Sequence, residues 1–197
     1  GHYGPDGELL DLSPSNLVFG RANIEGRPVV ASADDFTVRG GAADAAIHRK
    51  FVQCEQMAHT LKIPLIRMID GTGGGGSVKT LEDTGYTYVP VTPSWDEIIK
   101  NLETVPVVAL ALGPTAGMGA ARTVASHYSI MVKGLSQIFA AGPPVVEAAG
   151  EKVTAEQLGG ADFSFTEADV TPKQRGIGEV FGHETQRDQQ QQHVDVK

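Results

Sequence analysis

Two patterns of apolar residues divide the first third of the chain. Apolar runs at 17–24 and 28–33 predict two strands, and Glu25-Gly26 between them is typical of a tight hairpin turn. Over 42–61, apolar residues recur at steps of three and four, which predicts a long helix with one apolar face. Charged residues such as Glu55 lie mostly off that face. The face consists of Ala43, Ile47, Phe51, Cys54, Ala58 and Leu61.

Two apolar runs farther along are each followed by glycine. Residues 65–69 predict a short buried strand that runs into the glycine-rich segment 71–76. Residues 106–112 are more strongly apolar and predict a second buried strand, which leads into the turn 113–119. A helix of small residues is expected to follow as far as Ala125. Strands that alternate with helices in this way indicate an α/β fold.

Two segments have the sequence of a capping box, in which Ser or Thr and a Glu or Gln three positions later close the start of a helix. Ser94-Trp95-Asp96-Glu97 predicts the start of one helix, and Thr154-Ala155-Glu156-Gln157 predicts the start of another. The other predicted elements are strands at 128–132 and 137–140 and a helix opened by Gly142-Pro143-Pro144.

The two ends of the chain differ in composition from its middle. Residues 1–16 are rich in Gly, Pro, Asp and Ser and predict a loop. Residues 166–197 hold few large apolar side chains and a run of glutamines, so they cannot bury much surface and predict a mobile tail. We therefore expect one folded domain over 1–165, followed by that tail.

Charge and composition exclude several classes of function. A formal net charge of −8 argues against a nucleic-acid binder, because phosphate contacts require clustered Lys and Arg. Cys54 is the only cysteine, so an internal disulfide is impossible. The apolar runs are too short to span a membrane, and the first residues lack the pattern of a secretory signal.

Glycine is the unusual component, with 24 of 197 residues. It occurs three times between a predicted strand and a following element, at Gly40-Gly41, at 71–76 and at 113–119. Glycine permits positive φ and close backbone approach, and a helix that begins there presents unpaired N–H groups. Two such turns that converge can form an oxyanion hole. The alternative is that they are tight turns needed only for packing.

Other chemistries are weakly supported. Residues 71–76 satisfy G-x-G-x-x-G, but 77–80 open a helix poorly and no acidic residue ends a second strand, which argues against a dinucleotide site. The phosphate-loop signature is absent, and the histidines lack metal-ligand spacing, so no metal site is expected. The position of Cys54 on an apolar helix face favours core packing over a nucleophile. An acid, base or nucleophile is therefore not evident, and a backbone oxyanion hole needs none.

Several segments resemble one known family. The run of strand, glycine turn and small-residue helix at 107–119 is similar to the crotonase pattern. Other segments resemble the N-terminal half of acyl-CoA carboxylase carboxyltransferase chains, with the propionyl- and methylcrotonyl-CoA branch the nearest. The resemblance covers about 17–163. These segments are 35–41 (DFTVRGG), 129–134 (SIMVKG), 138–146 (IFAAGPPVV) and 153–162 (VTAEQLGGAD).

The resemblance implies a crotonase/ClpP-like ββα superhelix that binds a coenzyme A thioester. In that family carboxybiotin delivers CO2 to the α-carbon of an acyl-CoA, biotin removes the α-proton, and backbone N–H groups stabilise the enolate. It implies that Gly117 and Met118 supply one oxyanion hole and that Ala116 lies beside it. Met118 stands where the family usually has glycine, so its side chain could narrow the pocket. The loop expected to line the same cavity consists of Gly73, Gly74, Gly75 and Gly76.

The resemblance also implies partners. They are the acyl-CoA, a biotin carboxylase and biotin carrier that bears the biotin, and further copies of the chain. The expected location is the cytoplasm or the mitochondrial matrix. Because the family has two crotonase-like halves and only the first is recognised, we expect this chain alone to be incomplete for carboxylation. The alternatives are a non-catalytic coenzyme A-binding or assembly module, or another crotonase-type enzyme with Glu82 or Asp83 as its carboxylate.

Overall fold

A six-stranded, mostly parallel sheet forms the centre of the computed structural model, which describes residues 2–12, 14–42, 48–71, 78–86 and 94–161. The strand order is β3-β4-β5-β6-β7, and β8 continues beside β6 after β7. Within this sheet the β3–β4 pair is antiparallel and the other strand pairs are parallel. The strands are β1 (His2–Tyr3), β2 (Leu9–Asp11), β3 (Leu17–Ile24), β4 (Arg27–Asp34), β5 (Leu65–Gly71), β6 (Val107–Ala116), β7 (Tyr128–Met131) and β8 (Gln137–Phe139).

Six α-helices occur among the described residues, and α1 and α3 contact each other beside the sheet. A short 3-10 turn, Arg39–Gly41, follows β4. The helices are α1 (His48–Leu61), α2 (Val78–Thr84), α3 (Trp95–Thr104), α4 (Met118–Val124), α5 (Pro143–Ala148) and α6 (Ala155–Gly159).

The hairpin between β3 and β4 has the predicted turn. Glu25 and Gly26 have φ values of 51° and 81°, and positive φ at both central residues is typical of a type I′ turn. The turn aligns Ile24 with Arg27 and, at the far end, Leu17 with Asp34. This register directs Val30 into the core, where it is fully buried.

The core lies between the sheet and helices α1 and α3. Its centre consists of Val30, Cys54, Ala58, Leu65, Val105 and Val107, with Phe19, Met57, Ile63 and Leu102 packed around them. Full burial of one such Val or Leu side chain stabilises the fold by roughly 1.5–3 kcal/mol. Burial, reinforced by the neighbouring Glu55 charge, raises the pKa of the Cys54 thiol to about 12. Cys54 is therefore a core residue, as predicted, and not an activated nucleophile.

The structure corrects four predictions. The first 16 residues are not all loop, because β1 and β2 form a two-stranded sheet. Ala42 is extended, so the long helix does not begin there, while 43–47 lie outside the described residues. The second buried strand, β6, continues beyond residue 112 to Ala116 because β8 pairs with its last residues.

The fourth correction concerns the capping boxes. The predicted helix start is confirmed, because α3 begins at Trp95 directly after Ser94. The capping bond is absent, since the Ser94 side chain makes no capping hydrogen bond and its buried hydroxyl has no partner among the described residues. The second box is confirmed: the Gln157 N–H donates to Thr154 Oγ1 at 3.2 Å, and the Thr154 N–H donates to Gln157 Oε1 at 3.0 Å.

The predicted tail, 166–197, lies outside the described residues. All the described residues belong to one compact unit, Gly1–Ser164. In the part of the chain that the structure describes, no helix is long and apolar enough to cross a membrane.

Candidate functional site

Three glycine turns meet at the carboxyl edge of the sheet. A Cβ atom on Gly41 would lie 2.8 Å from the Gly71 Cα and 2.9 Å from the Asp70 carbonyl oxygen. A Cβ atom on Gly119 would lie 2.7 Å from the Gly71 carbonyl oxygen. Only glycine fits where backbones approach so closely, and Gly41 and Gly71 also have positive φ, at 69° and 153°. The expected convergence of turns therefore exists, and we call Gly41, Gly71 and Gly119 the glycine junction.

Helix α4 begins at this junction. Gly117 precedes it with φ 56° and ψ −115°, a conformation that favours glycine. The first bond of the helix runs from the Ala121 N–H to the Gly117 carbonyl at 3.0 Å. The N–H groups of the first turn, beginning with Met118, therefore have no acceptor within the helix. This first turn includes Gly119, so its N–H groups lie at the junction.

The Gly117 N–H is already engaged in the sheet. It donates to the carbonyl oxygen of Phe139 at 3.1 Å, which extends the pairing of Ala116 with Phe139 between β6 and β8. Sequence reasoning assigned Gly117 and Met118 the same role. The structure gives their N–H groups different surroundings.

Asp70 places a carboxylate beside the junction. It precedes Gly71 at the end of β5, and its Oδ1 occupies the space that a Cβ atom on Gly113 would need. Partial burial, and then the negative charge of Asp34, raise the pKa of the Asp70 carboxyl above its ordinary value.

The raised pKa of Asp70 predicts a pH-dependent effect on stability. A carboxyl with a higher pKa in the folded state favours folding while it is neutral, and this benefit is lost as pH rises through the folded pKa. We expect Asp70→Asn to raise the melting temperature at pH 8 but not at pH 3. Thermal unfolding at both pH values checks this. The prediction would be contradicted if Asp70→Asn melted at a lower temperature than the parent chain at pH 8.

A buried ion pair lies beneath the junction. Arg67 on β5 and Glu55 on α1 are 0% and 5% exposed. The guanidinium binds both carboxylate oxygens, with Nε to Oε1 and Nη2 to Oε2 each at 2.9 Å. Asn101 on α3 donates to Glu55 Oε2 at 2.7 Å and to the Glu55 carbonyl at 3.0 Å. This bidentate geometry is among the stronger forms of hydrogen bond in proteins.

The same guanidinium also holds the end of α4. Arg67 Nη1 donates to the carbonyl oxygens of Ala125 at 2.7 Å and Arg122 at 3.2 Å. These carbonyls belong to the last turn of the helix, where acceptors lack intrahelical donors. Arg67 thus fixes α4 relative to β5, and through it the position of Met118 at the opposite end.

Arg122 makes a second link from α4 to the sheet. Its Nη1 lies 3.2 Å from Asp34 Oδ2 on β4, and its guanidinium carbon lies 4.5 Å above the centre of the Phe51 ring on α1. Both side chains of the ion pair are largely buried. The two buried arginines therefore connect α4 to β4, β5 and α1.

Comparison with known proteins decides the family. A family model described as carboxyl transferase domain matches residues 10–187. The chain belongs to the carboxyl transferase domain family of biotin-dependent acyl-CoA carboxylases. The predicted family and the crotonase-like α/β fold are both confirmed.

Curated relatives cover most of this chain. It is 32% identical to the methylmalonyl-CoA decarboxylase subunit alpha of Veillonella parvula over 155 residues, and this alignment covers 78% of the chain. It is 32% identical over 167 residues to the mitochondrial methylcrotonoyl-CoA carboxylase beta chain of Arabidopsis thaliana, covering 81%. The chain spans 30% and 27% of the length of these two relatives.

Solved carboxyltransferases share its fold. A structure of transcarboxylase 12S with methylmalonyl-coenzyme A and methylmalonic acid bound is 30% identical with a TM-score of 0.60, over 75% of this chain and 28% of that one. The structure of the P. aeruginosa geranyl-CoA carboxylase beta subunit is 19% identical with a TM-score of 0.63. The match covers 87% of this chain and 33% of that subunit. At this identity the likeness supports the fold alone.

The site residues predicted from the sequence fall into two groups. Ala116, Gly117 and Met118 are described and lie where β6 passes into α4. The four predicted loop glycines, Gly73 to Gly76, lie outside the described residues. The described residues contain no cluster of three or more His, Cys, Asp or Glu side chains that could hold a metal.

Sequence reasoning missed Arg67, Glu55 and Asp70. The sequence did contain a signal for Arg67, because it is the one charged residue within the apolar run 65–69. A charge inside a strand predicted to be buried requires a buried partner. The sequence did not identify Glu55 as that partner.

Proposed function

We propose that this chain is the acyl-CoA-binding part of a carboxyltransferase that transfers CO2 from carboxybiotin to the α-carbon of a short acyl-CoA. The observation that carries the proposal is the glycine junction, where three backbone turns meet beside the first turn of α4. A backbone surface without Cβ atoms lets a thioester approach free N–H groups closely. Transcarboxylase 12S, which has methylmalonyl-coenzyme A bound in its structure, supports this choice of ligand.

Met118 is the first donor that we assign to the thioester oxygen. Its N–H is at the first position of α4 and has no acceptor within the helix. As negative charge grows on that oxygen in the enolate, a fixed N–H stabilises it more than it stabilises the neutral thioester. For Gly117 to be the second donor, its N–H must exchange the Phe139 carbonyl for the thioester oxygen. Met118 and the proposed lining residues Ala116 and Gly73 to Gly76 would then limit the size of the acyl group.

Carboxybiotin would come from outside this chain. When bound, it supplies the CO2 and the ureido group that accepts the α-proton. The chain spans under a third of its first curated relatives, so we propose that the biotin-binding surface lies in a further domain or another subunit. The transcarboxylase 12S structure is described as a hexamer assembly, which supports a homo-oligomer here. Relatives in Arabidopsis thaliana and Mus musculus are mitochondrial, which supports the matrix as one proposed location, with the cytoplasm as the other.

A second candidate is the reverse transfer, in which the chain binds a malonyl-type thioester that loses its carboxyl group. The methylmalonyl-CoA decarboxylase subunit alpha of Propionigenium modestum, 34% identical over 154 residues, favours it. Both directions pass through the same enolate and use the same N–H groups. They are separated by whether propionyl-CoA or methylmalonyl-CoA binds more tightly.

The test removes a single N–H without removing the helix. Proline is tolerated at the first position of a helix, where its missing N–H costs no helical bond. Met118→Pro should therefore weaken propionyl-CoA binding by about 3- to 10-fold, the equivalent of one net hydrogen bond. Met118→Ala, which keeps the N–H, is the matched control and should bind as tightly as the parent chain or more tightly. Isothermal titration calorimetry measures the three affinities.

Each result has a clear meaning. Weaker binding by the proline variant alone supports a backbone donor at Met118. Equal weakening by both variants would mean that the side chain, and not the N–H, contacts the ligand. Absence of binding by the correctly folded parent chain would reject the acyl-CoA site in this chain.

A further inference from the structure

Asp70 differs from the other acidic residues near the helix-covered face of the sheet. Glu55 is paired with Arg67 and Asn101, and Asp34 is paired with Arg122. The Asp70 carboxylate has no hydrogen bond or ion pair among the residues that the structure describes, and it is only partly buried. A partly buried carboxylate without a partner among the described residues is available to a ligand.

Its position is the second observation. Asp70 lies at the carboxyl end of β5, the residue before Gly71 of the glycine junction, and its Oδ1 contacts Gly113 near the end of β6. The two strands are parallel neighbours. Ligands of open α/β sheets bind at the carboxyl ends of such strands. Gly113 leaves room for the carboxylate there, since a Cβ at that position would overlap it.

We propose that the Asp70 carboxylate removes a proton from the α-carbon of a bound acyl-CoA, so that this chain exchanges α-protons with solvent without biotin. The inference rests on the proposed acyl-CoA site. It adds an activity that needs neither carboxybiotin nor a second domain. In carboxylation the same α-proton goes to biotin, so the exchange is a separate reaction of the bound thioester.

The step balances within the site. An Asp70 carboxylate oxygen takes the α-proton, and the electron pair of the broken C–H bond forms the C=C bond of the enolate. The thioester C=O electrons move onto oxygen, and the Met118 N–H donates a hydrogen bond to that oxygen. In deuterated water the neutral carboxyl exchanges its proton for a deuteron and returns it to the α-carbon. The product is deuterated acyl-CoA, and no oxidant, reductant or further reactant is consumed.

The environment of Asp70 suits a base. Partial burial raises the pKa of its carboxyl, which makes the carboxylate more basic than that of an exposed aspartate. The neighbouring Asp34 is held by Arg122, so the Asp34 carboxylate is not free to take the same role. We prefer Asp70 to Glu82 and Asp83, the carboxylates suggested by sequence, because Asp70 directly precedes Gly71 of the glycine junction, whereas Glu82 and Asp83 lie on α2.

The experiment combines binding and exchange on the full chain. Propionyl-CoA is incubated with the chain in deuterated buffer, the α-proton signal is followed by NMR, and affinity is measured by calorimetry. The parent chain should exchange α-protons faster than buffer does. Asp70→Asn should slow enzyme-dependent exchange by roughly 100-fold or more, the scale of a general base, and leave affinity within about 3-fold. Asp96→Asn removes an exposed carboxylate on α3 and should match the parent chain in both exchange rate and affinity.

The outcomes separate this inference from the proposed function. Binding without exchange, or exchange that survives in Asp70→Asn, overturns the inference and leaves the acyl-CoA site intact. Absence of binding by the folded parent chain overturns both. If Asp70→Asn does not fold, Asp70→Ser, which also removes the carboxylate, takes its place with the same expected loss.

Discussion

Replacing Arg67 by Met is expected to lower the free energy of unfolding by roughly 3–5 kcal/mol, the range found when one partner of a buried ion pair is removed. Glu55 would keep a negative charge at 5% exposure with only Asn101 as a partner. The carbonyl oxygens of Arg122 and Ala125 would also lose their side-chain donor. Since most domains are stable by only about 5–15 kcal/mol, this single change should bring the chain close to unfolding.

The double variant Arg67→Met with Glu55→Leu tests whether the lost stability comes from the unpaired charge of Glu55 or from the missing donor to the helix carbonyls. Replacing both partners of a buried pair by apolar residues is often neutral or stabilising. We expect the double variant to regain most of the lost stability in guanidinium unfolding. A double variant as unstable as Arg67→Met alone would mean that the helix carbonyls, and not Glu55, account for the loss.

Acyl-CoA affinity gives the double variant a second use. If Arg67 only stabilises the fold, the refolded double variant should bind propionyl-CoA like the parent chain. We expect weaker binding instead, because the last turn of α4 loses its link to β5. Calorimetry on the folded double variant measures this difference.

Replacing Gly41 by Ala is expected to destabilise the chain by roughly 2–5 kcal/mol, for two separate reasons. The positive φ of 69° costs an L-residue about 1–2 kcal/mol. The new Cβ would lie 2.8 Å from the Gly71 Cα, and overpacking of this kind costs about 1–3 kcal/mol more. The clashing atoms are backbone, so a change of side-chain rotamer cannot relieve them.

Two other glycines serve as controls. Gly26→Ala introduces the same strain at φ 81° but meets no atom within 4 Å, so it should cost only about 1–2 kcal/mol. Gly20→Ala, within β3, meets neither strain nor an atom within 4 Å and should be close to neutral. Chemical unfolding of the three variants gives the comparison. Equal losses at Gly41 and Gly26 would show that the glycine junction tolerates expansion.

Local sequence determined much of the fold of this chain. The hairpin was predictable because Gly26 permits positive φ in a short turn between two apolar runs. The Thr154 capping box was predictable because its partners lie three residues apart. The family followed from short specific segments and is confirmed by the match to residues 10–187. Each of these signals depends on residues that are close together in the chain.

The site depends on residues that are distant in sequence. In the sequence alone, each glycine of the junction looks like an ordinary turn glycine. The folded sheet brings Gly41, Gly71 and Gly119 together, because they lie at or after the carboxyl ends of the neighbouring strands β4, β5 and β6. Glu55 was placed outside the apolar face because a charge at that position is usually exposed. It is buried because β5 presents Arg67 to α1 at that point. Sequence therefore determined the secondary-structure elements and the family. The packing of α1 and α4 on parallel strands decided which charges are buried in pairs. The same packing left one carboxylate, that of Asp70, unpaired among the described residues.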